Sequence, residues 1–73
     1  MEFSEVYLGQ KMGALKEVIL QPKPDGWIML LRDEDDGLLP LTWGGRACLF
    51  DSLGPAAELA HLIGFDNVRV QRH

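Results

Sequence analysis

The alternation of apolar and polar positions changes character along the chain. Leu8, Met12, Leu15 and Ile19 recur at helical spacing, but Gly9 and Gly13 interrupt them. Each glycine costs a helix about 1 kcal/mol, so residues 1–16 read as either a short helix or an irregular segment. "EVILQ" (residues 17–21) then reads as a strand turning through "PKPDG" into the apolar run "WIMLLR", Trp27 to Arg32. That run suits a strand with both faces covered.

Two further short apolar runs, "LLPLTW" (residues 38–43) and "RACLF" (46–50), flank Gly44-Gly45. Paired glycines satisfy the positive φ that both central positions of a type I′ hairpin turn require. With a two-residue turn, Trp43 opposes Arg46, Leu41 opposes Cys48, and Leu39 opposes Phe50. One face of that ladder carries Leu39, Leu41, Trp43, Cys48 and Phe50, the expected core side. The other carries Leu38, Pro40, Thr42, Ala47 and Leu49, the milder side. Pro40 lacks an amide donor and belongs at a sheet edge or a bulge.

"DSLGPAAELAHLIGF" predicts a helix over 52–63. Asp51 or Ser52 can cap its start, and Pro55 falls in the first turn, where no intrahelical donor is lost. Ala56, Leu59, Ala60 and Ile63 share one stripe; Gly64 and Phe65 fit a left-handed stop with its hydrophobic contact. "VRV" alternates as a last strand within 67–71. The predicted architecture is α+β: a small antiparallel β-meander over 17–50, one C-terminal helix packed on one face, and a final short strand.

The length, 73 residues, allows one domain with a thin core. Chains of this size often gain stability from disulfides, a metal or self-association. Cys48 is the only cysteine, so no disulfide forms within the chain, and no CxxC or Cys/His cluster offers zinc ligands. Idealised packing or self-association are left, and a homodimer is the default expectation. A composition of 47% hydrophobic and 25% charged residues is that of a folded domain. No apolar run approaches the roughly 20 residues of a membrane span. "MEFSEVYLGQK" has early acids and no apolar h-region, unlike a secretory signal. The expected location is therefore cytoplasmic, with no membrane partner.

Charge is concentrated in one place. Eleven acids oppose seven Lys/Arg, giving −4. Setting Asp33, Glu34, Asp35 and Asp36 aside leaves seven of each sign, so the net charge is a property of "RDEDDG" alone. An EF-hand needs glycine at position six of its loop, an acid at position one and a glutamate at twelve. With Gly37 at six, those positions hold Arg32 and Trp43. The motif fails, no specific metal or cofactor is expected, and a solvated turn is the simplest reading.

No catalytic constellation emerges. Cys48, in mid-strand on the expected core face, has no base placed to activate it. His61 sits at the edge of the helix's apolar stripe with only Glu58 near it, and His73 is terminal. "WGGRA" lacks both dinucleotide and P-loop patterns and precedes a strand, and Trp43 opposite Arg46 suits a cation–π pair. A nucleic-acid surface would draw on Arg46, Arg69 and Arg72, yet the chain has no basic excess to drive such binding.

The run "GWIMLLRDEDDG…GGRACLFDSLGPAAELAHLIGFDNVRV", residues 26–70, resembles small accessory proteins of bacterial plasmids and integrative elements. Shared features are a strand opening on Trp, a short hairpin, an F-x-S-L helix start, an Ala-rich helix and a G-F stop. The resemblance implies a bacterial, cytoplasmic setting and no particular chemistry. The functional expectation is a non-enzymatic protein-interaction module, homodimeric, with Leu38, Pro40 and Leu49 as contact residues. The alternatives are a nucleic-acid-associated regulator using Arg46, Arg69 and Arg72, and an inhibitor of a host nucleic-acid enzyme whose Asp33, Glu34, Asp35 and Asp36 mimic phosphates.

Overall fold

The computed structural model describes residues 1–72; His73 lies outside the described residues. In chain order the elements are α1 (Phe3–Lys11), β1 (Leu15–Lys23), β2 (Gly26–Asp33), β3 (Leu38–Pro40), β4 (Thr42–Trp43), β5 (Arg46–Ala47), α2 (Leu53–Ile63) and β6 (Val68–Val70). The chain is α+β, as its pattern predicts. β1, β2 and β3 form the antiparallel meander, and β6 adds to the free side of β1 in parallel, giving the order β3-β2-β1-β6. The β4–β5 hairpin forms a separate two-stranded sheet.

Both helices cover the same face of the main sheet. Val6 of α1 and Ala56, Ala60 and Ile63 of α2 pack with Val18, Leu20, Met29 and Leu31 of the two central strands, joined by Leu15, Leu41 and Phe65. Alternation sends Glu17, Ile19 and Gln21 of β1, and Ile28, Leu30 and Arg32 of β2, to the opposite face.

α1 resolves the open question at the N-terminus in favour of a helix. The Glu2 amide donates to Glu5 Oε1 at 3.1 Å, and Gly9 is buried against Leu15. α2 begins at Ser52, whose extended backbone makes it the N-cap, though its hydroxyl makes no capping bond. Its end matches the sequence reading: Gly64 adopts φ 118°, and the Phe65 amide donates to Ala60 O at 3.0 Å, burying the Phe65 ring.

The hairpin differs from its predicted ladder. Gly44 and Gly45 do adopt φ 62° and 81°, and Trp43 does oppose Arg46. Beyond Cys48, whose amide donates to Leu41 O at 3.0 Å, the ladder ends. Phe50 pairs with Trp27 instead of Leu39, and Leu39 pairs with Leu31. The reason is competition for one edge: residues 38–41 and Phe50 both hydrogen-bond to β2, so the hairpin between them is pushed off the sheet. Of the expected core face only Leu41 is fully buried; Cys48 and Phe50 are half-buried, and Leu39 and Trp43 are exposed. Trp43, 68% exposed, packs on Phe3 with ring centroids 5.6 Å apart, and the cation–π contact among the described residues is Lys11 over Tyr7.

The chain start holds the displaced hairpin in place. One Glu2 carboxylate accepts from Thr42 Oγ1 (3.0 Å), the Gly44 amide (3.1 Å) and the Gly45 amide (2.6 Å). The Thr42 amide donates to Met1 O at 2.8 Å.

Candidate interaction surface

The face of the main sheet that carries neither helix is the feature with most to offer a partner. Its side chains fall in rows fixed by strand register. Glu17, Arg32 and Leu38 form one row; Arg69, Ile19, Leu30 and Pro40 form the next; Gln21 and Ile28 form a third. Leu49 lies beside the start of β2, its side chain 3.2 Å from where a Cβ on Gly26 would stand. The centre of the face is therefore apolar. Leu38 and Leu49 are 44% and 47% exposed, and Pro40 is also exposed. The three proposed contact residues thus lie along one flank of β2.

Charge frames this apolar centre. Glu17 accepts from Arg32 Nε at 3.1 Å and from Arg69 Nη2 at 3.5 Å, and Arg32 Nη1 also donates to Asp36 O at 3.2 Å. Glu17 and Arg32 are mostly buried by their neighbours, whereas Arg69 stays largely in solvent. A shallow depression of about 220 Å³ lies among Ile19, Gln21, Leu30, Arg32, Leu38, Arg69 and Gln71. Small-molecule sites run from about 300 to 1,000 Å³ and enclose their ligand. This hollow is smaller than that range.

The acidic turn is built as a turn. Asp33 Oδ1 accepts from the amides of Asp35 (2.9 Å) and Gly37 (2.8 Å), and the Asp33 amide donates to Gly37 O. Asp36 adopts φ 65°, a conformation short polar side chains tolerate, and pairs with Lys16 at 3.3 Å. Only Glu34 and Asp35 project without a side-chain partner among the described hydrogen bonds and ion pairs. Among the described residues, no group of three or more His, Cys, Asp or Glu side chains is placed to hold a metal ion. Nor is any described helix long and apolar enough to cross a membrane.

The remaining candidates are scattered. Arg46 belongs to the hairpin sheet while Arg69 lies on the main sheet, so the proposed basic set is not presented by one element. Arg72 lines an open hollow with Pro22, Trp27, Leu53, Val70 and Gln71. Cys48 is half-buried; burial raises its thiol above the ordinary range, and the Glu2 charge adds to the effect. His61 is exposed, outside the buried stripe. Its Nδ1 lies 3.0 Å from Phe65 O, which can only accept, so Nδ1 carries the proton there.

The sequence reading does not place Glu17, Ile19, Ile28 and Leu30 on the helix-free face, where Ile19 is buried among its neighbours and the other three are half-buried. Their apolar neighbours made both strands look covered on two sides. The missing signal was the register of the "PKPDG" turn, which, once set, places Glu17 beside Arg32 and Ile19 beside Leu30. The chain matches no protein-family model, no curated protein and no solved structure, so its function rests on this geometry alone.

Proposed function

We propose that this chain is a non-enzymatic protein-interaction module that works through the helix-free face of its sheet, as a homodimer. The supporting observation is the arrangement of two helices on one face, which leaves Ile28, Leu30, Leu38 and Pro40 with no element of the chain above them. Antiparallel sheets commonly leave one face to solvent, but that face is then polar. An apolar centre framed by an ordered Glu17–Arg32 pair is instead the composition of a contact surface, with an apolar core and a charged rim. The acidic turn speaks less strongly for phosphate mimicry, because Asp33 and Asp36 are occupied within the turn and its surroundings.

The test is covalent capture in the cells that make the protein. A photo-reactive residue replaces Leu38 on the open face, or Leu62 on the exposed side of α2. Adducts with protein from position 38 and few from position 62 are the expected result. Equal yields, or none at either position, would overturn the assignment of this face.

A further inference from the structure

We propose that the occupant of the open face is a second copy of the chain, related by a two-fold axis parallel to the strands, with Glu17 of each copy meeting the partner's Arg32. This rests on the reading of the face as a homodimer contact surface and adds its symmetry and charge pairing.

The argument is one of symmetry. A two-fold axis running between β1 and β2, parallel to both, lays β1 of one copy over β2 of the other and preserves height along the strands. Each row is then laid upon itself in reverse. In the row of Ile19 and Leu30, the half-buried Leu30 meets the partner's Ile19, which its own neighbours already bury, so Leu30 supplies most of the apolar surface that this contact covers. Arg69 in that row lies over the partner's Pro40, where its apolar stem can rest while its head stays with Glu17. In the row of Glu17 and Arg32, each carboxylate meets a guanidinium. A two-fold axis across the strands instead sets β2 on β2 and places Arg32 over the partner's Ile28, burying a charge against an apolar side chain. The face is self-complementary under one two-fold and not the other, as an isologous interface requires. Sheets packed this way keep their strands within about 30° of one another.

The size of the face sets the strength. Four strands about 4.8 Å apart, over about five residues of about 3.4 Å each, span roughly 320 Å². That is small beside the roughly 800 Å² each partner contributes to a standard stable interface. The dimer is therefore weak, dissociating on dilution through the micromolar range.

Sedimentation velocity of the purified chain across that range, with charge-swapped variants, tests the geometry. Glu17→Arg sets a third arginine beside Arg32 and Arg69 on each face and Arg32→Glu sets two glutamates there, so each variant alone loses self-association by about tenfold or more. Mixed in equal amounts they regain it, because every cross-copy contact again joins unlike charges. Circular dichroism of each variant confirms the fold, and the double variant Glu17→Arg/Arg32→Glu, which keeps the 17–32 pair within and across copies but loses the longer Arg69 contact, self-associates more tightly than either single variant. A parent that is monomeric at every concentration, or single variants that still self-associate, would overturn the proposal. A monomer whose position 38 still captures another protein in cells would leave the face assigned and remove only the second copy as its occupant.

Discussion

Trp27 and Phe50 exchange both main-chain hydrogen bonds, each 2.8 Å long, and so pin the segment leading into α2 to the first residues of β2. The pair lies at the opposite end of β2 from the acidic turn, on the edge that β3 uses at residues 38–40. Between these two attachments the β4–β5 hairpin has no strand of the main sheet to pair with.

The attachment depends on the absence of a side chain at Gly26. Its φ is 152°, and a Cβ there would lie 2.5 Å from Phe50 O. Backbone cannot give way as a side-chain tip can. Gly26→Ala is expected to destabilise the fold by about 2 kcal/mol or more. Urea unfolding monitored by tryptophan fluorescence measures it, with Gly54→Ala, where nothing lies within 4 Å, as the comparison with little cost.

The displaced hairpin makes Leu41 and Trp43 unequal, although alternation in the sequence puts them on one face. Leu41 is fully buried and Trp43 is 68% exposed. Leu41→Ala is expected to cost about 2–5 kcal/mol, and Trp43→Ala, which loses mainly the Phe3 contact, about 1 kcal/mol or less. Equal costs in denaturant titrations would contradict the observed hairpin position.

Glu2 gives the fold a dependence on acid. The Gly45 amide, then the Thr42 hydroxyl, hold its carboxyl below the ordinary value of 4.5, outweighing the opposing effect of burial. A carboxyl group lowered in the folded state stabilises it fully above the unfolded value, and that stabilisation is lost as pH falls through the folded value. Thermal melts of the parent and Glu2→Gln should therefore differ most near pH 6 and converge as pH drops below 4.5. A constant difference across that window would show that the charge is not involved.

Cys48 should behave as a sluggish thiol. Burial, reinforced by the Glu2 carboxylate, raises its pKa, and only the thiolate is nucleophilic. Alkylation by iodoacetamide at pH 8 is expected to run several-fold slower in the native protein than in urea. Equal rates would mean the strand end is open.

Within the acidic turn the four carboxylates are not equivalent. Asp33→Ala removes the acceptor of two turn amides and is expected to cost about 1 kcal/mol. Glu34→Ala and Asp35→Ala should fall within about 0.5 kcal/mol of the parent, as exposed substitutions usually do.

What could be read from the sequence was local. The end of α2 at Gly64 and Phe65, the Gly44-Gly45 turn and the Asp-Gly turn are written in adjacent residues, and each forms where the pattern puts it. The parallel pairing of Val18–Leu20 with Val68–Val70 joins segments about fifty residues apart, and no local signal specifies it. Glu2 reaching the hairpin is equally non-local. Leu39 and Phe50 were misplaced because counting outward from a turn assumes the ladder continues, and here β2 outcompetes it. The exposure of Leu38, Pro40 and Leu49 was legible in the sequence, whereas the Glu17–Arg32 pair required the register of the preceding hairpin.

The position of β6 has a consequence for synthesis. β1 leaves the ribosome early, and β2 joins it from the next stretch of chain, but the strand that closes its other side comes after every other element. Until then the Val18–Leu20 edge of a growing chain presents unsatisfied main-chain donors and acceptors, the template on which strands of neighbouring chains add. A chain that ends between α2 and β6 is thus left with an open strand edge at the centre of its sheet.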